Sequence, residues 1–174
     1  MLFSIFLVLS TIHCFGSLDK RGSVMSYARG VVKTRGGEFR FGPLSDLWQK
    51  KKIKARALLF QNSSDLATIT VSSWCRNAAS EVPLIALTEE LHAGIENLKT
   101  IAANEVPVGP RVGYMTTVTG QVDNKNIWLK TVVLKMNSCI FDFLYVSTPD
   151  QITSVADFDQ AVTSFGYVKG PDLL

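Results

Sequence analysis

The chain has 174 residues, of which 47% are hydrophobic and 19% are charged, and it carries a net charge of +3. This length suits one domain with a buried core, and the composition excludes an intrinsically disordered chain. The small positive charge gives no argument for a nucleic-acid partner. We therefore expect a globular domain whose function has to be argued from particular residues.

The first sixteen residues, MLFSIFLVLSTIHCFG, contain no charged side chain and precede a polar stretch. A bilayer span needs ~20 apolar residues, so this run is too short to be one. Its length is typical of the h-region and cleavage zone of a secretory signal, although the usual Lys or Arg before the h-region is missing. We interpret residues 1–16 as a signal peptide and predict export to the bacterial periplasm or anchorage at the outer membrane.

Two processing routes remain open for this segment. Cys14 is a candidate for lipidation, as in bacterial lipoprotein signals, and a lipid anchor would then be the protein's only contact with a membrane. His13 is a poor residue to place beside the cleaved bond. The alternative is ordinary cleavage after Gly16 or Ser17, which would remove Cys14 with the signal.

The next elements are short. Residues 17–35 contain basic residues without a sustained hydrophobic period, so we expect a flexible N-terminal lead. The stretch GEFRFGPLSDLW predicts a strand from Glu38 to Phe41, then a Gly-Pro turn and a loop that carries Trp48. Two further strands are predicted near 53–61 and 67–74, on either side of the polar break NSSD.

The densest basic stretch is QKKKIKAR. Read as a strand, it places Lys52, Lys54 and Arg56 on one face. The opposite face is then apolar and consists of Ile53, Ala55, Ala57 and Leu59. The basic face predicts either a patch for an anionic lipid or polymer, or a solvated face whose charge discourages edge pairing. The second interpretation is favoured because no aromatic residue lies between the charges.

Residues 83–102 predict a long amphipathic helix. Its apolar side chains recur at spacings of three and four and form one stripe: Leu84, Leu87, Leu91, Ile95, Leu98 and Ile101. Pro83 suits the first turn, where its missing N–H is not needed. We expect this stripe to pack on a sheet.

The segments YMTTVTGQV, IWLKTVVLKM and CIFDFLYVS predict a β-meander. Both alternating sets of the last strand are largely apolar, so that strand should be covered on both faces. A final helix is predicted from Ser154 to Phe165, with Ser154 and Asp157 at the spacing of a capping box. The order βββ-α-βββ-α predicts an α+β fold with an antiparallel sheet of about six strands and helices packed on it.

From GEFRFGPLSDLW to CIFDFLYVSTPDQITSVADFDQAVTSF, about 36–166, the sequence resembles the PsbP-like family, in particular small exported bacterial proteins or lipoproteins of that fold. Shared features include the extended segment leading to a tryptophan, the aromatic-rich last strand and the helix that closes on the core. The resemblance implies an α/β/α sandwich, with one domain over 36–168 and a tail at 169–174. It also implies a binding or assembly module rather than an enzyme.

Few residues suited to catalysis or metal binding are present. The two histidines are His13, inside the signal, and His92, which has no partner four residues away for a metal pair. The sequence also lacks a nucleophile elbow and a phosphate-binding loop. We therefore predict no catalytic, cofactor or metal site.

Two polar residues need separate interpretation. Asp142 lies within an apolar strand, where a buried carboxylate can act as a general acid. The favoured alternative is a carboxylate that accepts hydrogen bonds, with Arg111 or Lys130 as candidate partners. Asn62 begins an NSS sequon, which is a glycosylation acceptor only in a eukaryotic source.

Three functions are compatible with these residues. The first is a non-catalytic envelope protein that binds or helps assemble an unknown protein partner. The second is a small-ligand carrier or sensor with a pocket between sheet and helix, where Trp74, Trp128 or Tyr114 would line the opening. A hydrolase with an unrecognised site is a remote third.

Cys75 and Cys139 remain as a pair once Cys14 is lost or lipidated, and an even count suits an oxidising compartment. Cys75 ends one predicted strand and Cys139 begins another. If both side chains point to the same side of the sheet, neighbouring strand ends would bring the sulfur atoms together. We predict a disulfide, against the alternative of two separate buried cysteines.

Overall fold

The computed structural model describes residues 23–35, 37–53, 57–75 and 81–169. The predicted signal peptide, Cys14 and residues 170–174 lie outside this part of the chain. The helices are α1 (Leu84–Leu91) and α2 (Val155–Thr163). The strands are β1 (Val24–Ala28), β2 (Val31–Thr34), β3 (Gly37–Arg40), β4 (Trp48–Lys51), β5 (Ala57–Asn62), β6 (Thr68–Cys75), β7 (Glu96–Val108), β8 (Arg111–Val122), β9 (Lys125–Met136), β10 (Cys139–Ser147) and β11 (Gly166–Lys169).

The strands form two antiparallel sheets. The larger has seven strands in the order β4-β5-β6-β10-β9-β8-β7, and the smaller has four in the order β1-β2-β3-β11. The predicted antiparallel sheet with packed helices is therefore present, but the six-strand count and the order βββ-α-βββ-α are wrong. The prediction missed the N-terminal strands, β4, β7 and β11, most of which have only four or five residues and little internal period.

Strand β10 is central and determines the layers. Phe141, Phe143 and Tyr145 are buried on the face that carries the smaller sheet and α2. Ile140 is buried on the opposite face, where Leu87 of α1 covers it. Helix α2 therefore shares its layer with a β-sheet, which differs from the simple α/β/α sandwich implied by the resemblance.

Interleaved aromatic rings join the two sheets. Phe39 of β3 lies 5.0 Å from Phe141, edge to face, and Phe41 stacks on Phe143 at 5.3 Å between ring centroids. Phe165, just after α2, contacts both β10 rings at 5.0 and 5.7 Å. Aromatic pairs in these geometries contribute more than their buried area alone.

The predicted flexible lead is wrong from residue 24 onward. Strands β1 and β2 form a hairpin, and β2 pairs with β3. Val32 and Thr34 are buried, whereas Lys33 between them is exposed. This alternation extends over only four residues, too short to stand out from the surrounding basic residues in the sequence.

The predicted helix over 83–102 is half helix and half strand. Helix α1 ends at Leu91, and the chain turns through Gly94, which has a φ of +85°. Strand β7 then pairs with β8 through most of its length. Leu98 and Ile101, which were expected to extend the buried stripe, are 44% and 57% exposed on this edge strand. Tertiary pairing with β8 overrides the helical spacing.

The structure contains a disulfide between Cys75 and Cys139. The two residues are directly paired across β6 and β10, with Cα atoms 3.9 Å apart. The two side chains lie on the same face of the sheet, and the predicted disulfide is confirmed. The bond joins two adjacent strands of the larger sheet and closes a loop of 64 residues.

Replacing both cysteines by alanine should lower the free energy of unfolding by roughly 4 kcal/mol, because the unfolded chain regains the entropy of a 64-residue loop. Urea denaturation of the oxidised protein and of the double variant measures this difference. Wild-type protein in a reducing agent is the matched control and should unfold like the variant. An unchanged unfolding midpoint on reduction would contradict this prediction.

Candidate functional site

The first residue of the predicted basic patch, Lys52, does not lie on a strand. Strand β4 ends at Lys51 and β5 begins at Ala57, so Lys52 and Ile53 lie in the connection between them. Lys52 is exposed and Ile53 is half-buried. Lys54, Ala55 and Arg56 lie outside the described residues. The interpretation of these charges as a binding patch stays a prediction.

Asp142 is buried between the larger sheet and α1, with 5% of its surface exposed. The Ser72 hydroxyl donates to Asp142 Oδ2 at 3.2 Å. The predicted partners are wrong: Lys130 on the opposite face forms an ion pair with Asp159 at 2.7 Å, and Arg111 lies at the start of β8, an exposed position. The Asp142 carboxylate is therefore shielded from water, and its hydrogen bonds only partly offset the free-energy cost of burying its charge.

Burial raises the pKa of Asp142 to about 7. Hydrogen bonds from Ser72 and Trp74 act in the opposite direction, and the negative charge of Glu90 in α1 raises the pKa further. At pH values below about 7, the Asp142 carboxyl is therefore mostly protonated in the folded state. The raised pKa makes the free energy of unfolding depend on pH.

The contribution of Asp142 to the free energy of unfolding should fall as the pH rises from about 4 to about 7. In this window the folded state keeps the Asp142 proton while the unfolded state has lost it, so rising pH favours unfolding, by up to roughly 4 kcal/mol. Asp142→Asn should remove this slope. Urea denaturation at several pH values measures it, with the exposed Asp46→Asn as control. Identical slopes for wild type and Asp142→Asn would exclude this origin.

His92 and two of the three candidate pocket aromatics have structural partners. His92 Nε2 and Thr116 Oγ1 are 3.1 Å apart, and burial lowers the pKa of His92. Trp128 lies edge-on to Tyr145 at 5.8 Å, and Trp74 packs against the hydrophobic cluster beneath α1. These contacts occupy parts of the aromatic rings that would have to be free to line a ligand pocket.

A shallow cleft of about 230 Å³ lies elsewhere, where the start of β7 meets the end of β8 and the start of β9, away from the β7–β8 turn. Its side-chain amides form a chain in which Asn97 donates to Gln121 and Gln121 donates to Asn126, both at 3.0 Å. None of the three predicted aromatic residues lines this cleft. It is not the pocket between sheet and helix that the carrier hypothesis requires.

The start of α2 is held by side chains from distant loops. Asp157 Oδ2 accepts hydrogen bonds from Trp48 Nε1 at 2.8 Å and from Ser45 Oγ at 2.9 Å. Ser154 makes no capping bond and instead contacts the Tyr145 hydroxyl at 3.1 Å. The predicted capping box is therefore absent, because both of its residues bind tertiary partners.

The turn between β5 and β6 contains a strained residue. Leu66 has a φ of +58°, in the left-handed region that costs a non-glycine residue about 1–2 kcal/mol. Its neighbour Asp65 holds the turn: Asp65 Oδ1 accepts from Ala67 N at 3.1 Å, and Oδ2 accepts from Thr153 Oγ1 at 2.9 Å.

Asn62, the predicted sequon residue, is 1% exposed, and its side chain accepts hydrogen bonds from Ser64.

Leu66→Gly should be more stable than Leu66→Ala by roughly 0.5–1 kcal/mol, because both remove the same side chain but only glycine adopts this φ without strain. Urea denaturation of the two variants measures the difference. The same pair at Met25, an exposed strand residue, should show the opposite order. If alanine were the more stable residue at position 66, the left-handed conformation would be contradicted.

Groups of metal-ligating side chains and membrane-spanning helices are both missing from the described ranges. No three His, Cys, Asp or Glu side chains come together there as a metal site. No helix in that part of the chain is long and apolar enough to cross a membrane.

Solved structures share this arrangement at low identity. Cyanobacterial PsbP (CyanoP) from Synechocystis sp. PCC 6803 aligns with a TM-score of 0.51 at 14% identity, covering 88% of this chain and 96% of that one. LpqN, described as involved in cell envelope biogenesis of Mycobacterium tuberculosis, gives 0.54 at 12%, covering 76% and 83%. A Bacteroides thetaiotaomicron structure gives 0.53 at 12%, covering 75% of this chain and 44% of that one.

Neither a protein-family model nor a curated protein matches the sequence. Structural similarity at such low sequence identity shows a shared fold, but it does not show a shared function. The shared arrangement agrees with the resemblance found in the sequence, and the chain has a PsbP-like fold.

Proposed function

We propose that this chain is an exported, non-catalytic protein of the bacterial cell envelope that binds or helps assemble another protein. The disulfide between Cys75 and Cys139 is the observation that carries this proposal. Disulfides persist in oxidising compartments and are rare in the cytosol of most bacteria. The bond joins two adjacent core strands, so it is part of the folded scaffold.

The burial of reactive groups supports a binding role. Asp142 is 5% exposed, and His92 is half-buried with its Nε2 3.1 Å from the Oγ1 of the buried Thr116. Each of these two groups is engaged in a hydrogen bond within the fold. The described interior is filled by aromatic and aliphatic side chains, as in a scaffold whose function depends on its surface.

The fold is compatible with an envelope role, because LpqN is described as involved in cell envelope biogenesis. That description belongs to LpqN, and the likeness between the two chains is of fold alone. For this chain, the uncharged N-terminal segment and the disulfide remain the support for export.

The compartment is tested by expressing the full chain in its source cell with a C-terminal affinity tag, then measuring its location and intact mass. We expect an envelope protein that lacks residues 1–16, or one that begins at a lipidated Cys14. Its mass should be lower than that of the reduced chain by the two hydrogens lost in disulfide formation. Full-length, reduced protein in the cytosol would contradict the proposal.

Protein binding is tested separately by crosslinking intact cells with an amine-reactive reagent. A discrete adduct that contains this chain and a second protein supports the proposal. Native mass spectrometry of the same purified protein distinguishes the alternative, because a small-ligand carrier would retain a co-purifying compound without forming a protein adduct.

A further inference from the structure

Three loops at one end of the larger sheet expose aliphatic side chains. They lie between β3 and β4 (41–47), between β5 and β6 (63–67) and between β10 and α2 (148–154). Each carries one large exposed residue: Leu47 is 49% exposed, Leu66 65% and Ile152 39%. We call this surface the loop face.

Hydrogen bonds hold the three loops together. Ser63 N donates to Leu47 O at 2.9 Å, which ties the first loop to the second. Thr153 Oγ1 donates to Asp65 Oδ2 at 2.9 Å, which ties the third to the second. A surface fixed in this way loses little conformational entropy when a partner binds.

Leu66 is the clearest sign that the loop face is used. Its backbone is in the left-handed region, and its side chain is the most exposed of the large hydrophobic residues described. The strain is therefore not offset by burial of the leucine side chain. Strained, braced residues of this kind cluster at ligand clamps and other functional sites.

The charge of the loop face is of one sign. The charged residues within the three loops are Asp46, Asp65 and Asp150, without a lysine or arginine, although the whole chain has a net charge of +3. Asp46 and Asp150 are exposed, whereas Asp65 is 8% exposed and braces the turn. Exposed leucines bordered by carboxylates complement an apolar pocket with a cationic rim.

We infer that the loop face docks onto a partner protein through an apolar pocket bordered by lysine or arginine side chains. This inference rests on the proposed function, and it identifies the loop face as the surface that binds the partner. Leu66 is the central anchor, Leu47 and Ile152 flank it, and Asp46 and Asp150 orient the encounter. An anionic bilayer is disfavoured because the exposed charges on this face would repel it.

Site-specific photocrosslinking in the source cell locates the contact. A benzophenone amino acid is placed at position 66 or 152, and at position 25 as the control, because Met25 is 61% exposed on β1. We expect one partner protein to be crosslinked from positions 66 and 152 but not from position 25. The crosslinked partner peptides should contain apolar residues close to lysine or arginine.

Binding of the purified partner then tests the chemistry. Leu66→Gly removes the anchor and also the backbone strain, so its thermal midpoint should be no lower than that of the wild type. Its Kd should rise about tenfold or more, whereas Met25→Ala should leave the Kd unchanged. Asp46→Lys with Asp150→Lys should slow association and weaken its dependence on salt.

Several outcomes would overturn the inference. Adducts that form from position 25 but not from 66 or 152 would leave the proposed function intact and remove the loop face from it. An unchanged Kd for Leu66→Gly would do the same, as would a second copy of this chain as the crosslinked species. Sedimentation with phosphatidylglycerol vesicles that is lost in Leu66→Gly would assign the face to lipid. If neither these positions nor the amine-reactive reagent yields a protein adduct, the proposed function fails too.

Discussion

The packing of phenylalanine rings between the two sheets is the interaction on which the rest of the structure depends. Phe39 and Phe41 interleave with Phe141 and Phe143, and Phe165 closes the cluster from the end of α2. A small sheet needs a buried hydrophobic face to be stable. These rings give it a buried face and hold it against the larger sheet.

The aromatic cluster also positions the loop face. Phe158 of α2 packs on Tyr145 at 5.9 Å, which fixes the start of the helix over the end of β10. Asp157 can then accept hydrogen bonds from Ser45, just before β4, and from Trp48, the first residue of β4. The positions of the exposed side chains of the loop face therefore depend on buried aromatic residues, because the packing of α2 fixes where the loops that contact it lie.

Features that depend on the residue pattern of a single strand or helix could be predicted from the sequence. The bounds of β10 match the predicted strand, because both of its faces are apolar over nine residues. The disulfide was predicted from the even count of cysteines expected in an oxidising compartment and from their positions at strand ends, whereas their adjacency depended on the pairing of β6 with β10. The helix over 83–102 was predicted wrongly beyond Leu91, because its leucine spacing suits a helix while β8 offers a strand partner. The loop face was missed because its three leucine and isoleucine residues are far apart in sequence.

The sequence by itself determined the antiparallel character of the sheet, the two helix starts, the positions of both cysteines at strand ends and the PsbP-like resemblance. These depend on local periodicity and on residue types, which are readable without knowledge of neighbours. Tertiary structure alone decided that residues 24–34 form strands, that 96–108 leaves the helix to pair with β8, and that Asp142 is buried beside Ser72. It also decided the strain at Leu66, because backbone conformation in a turn and the pKa of a carboxyl both depend on which distant groups surround them.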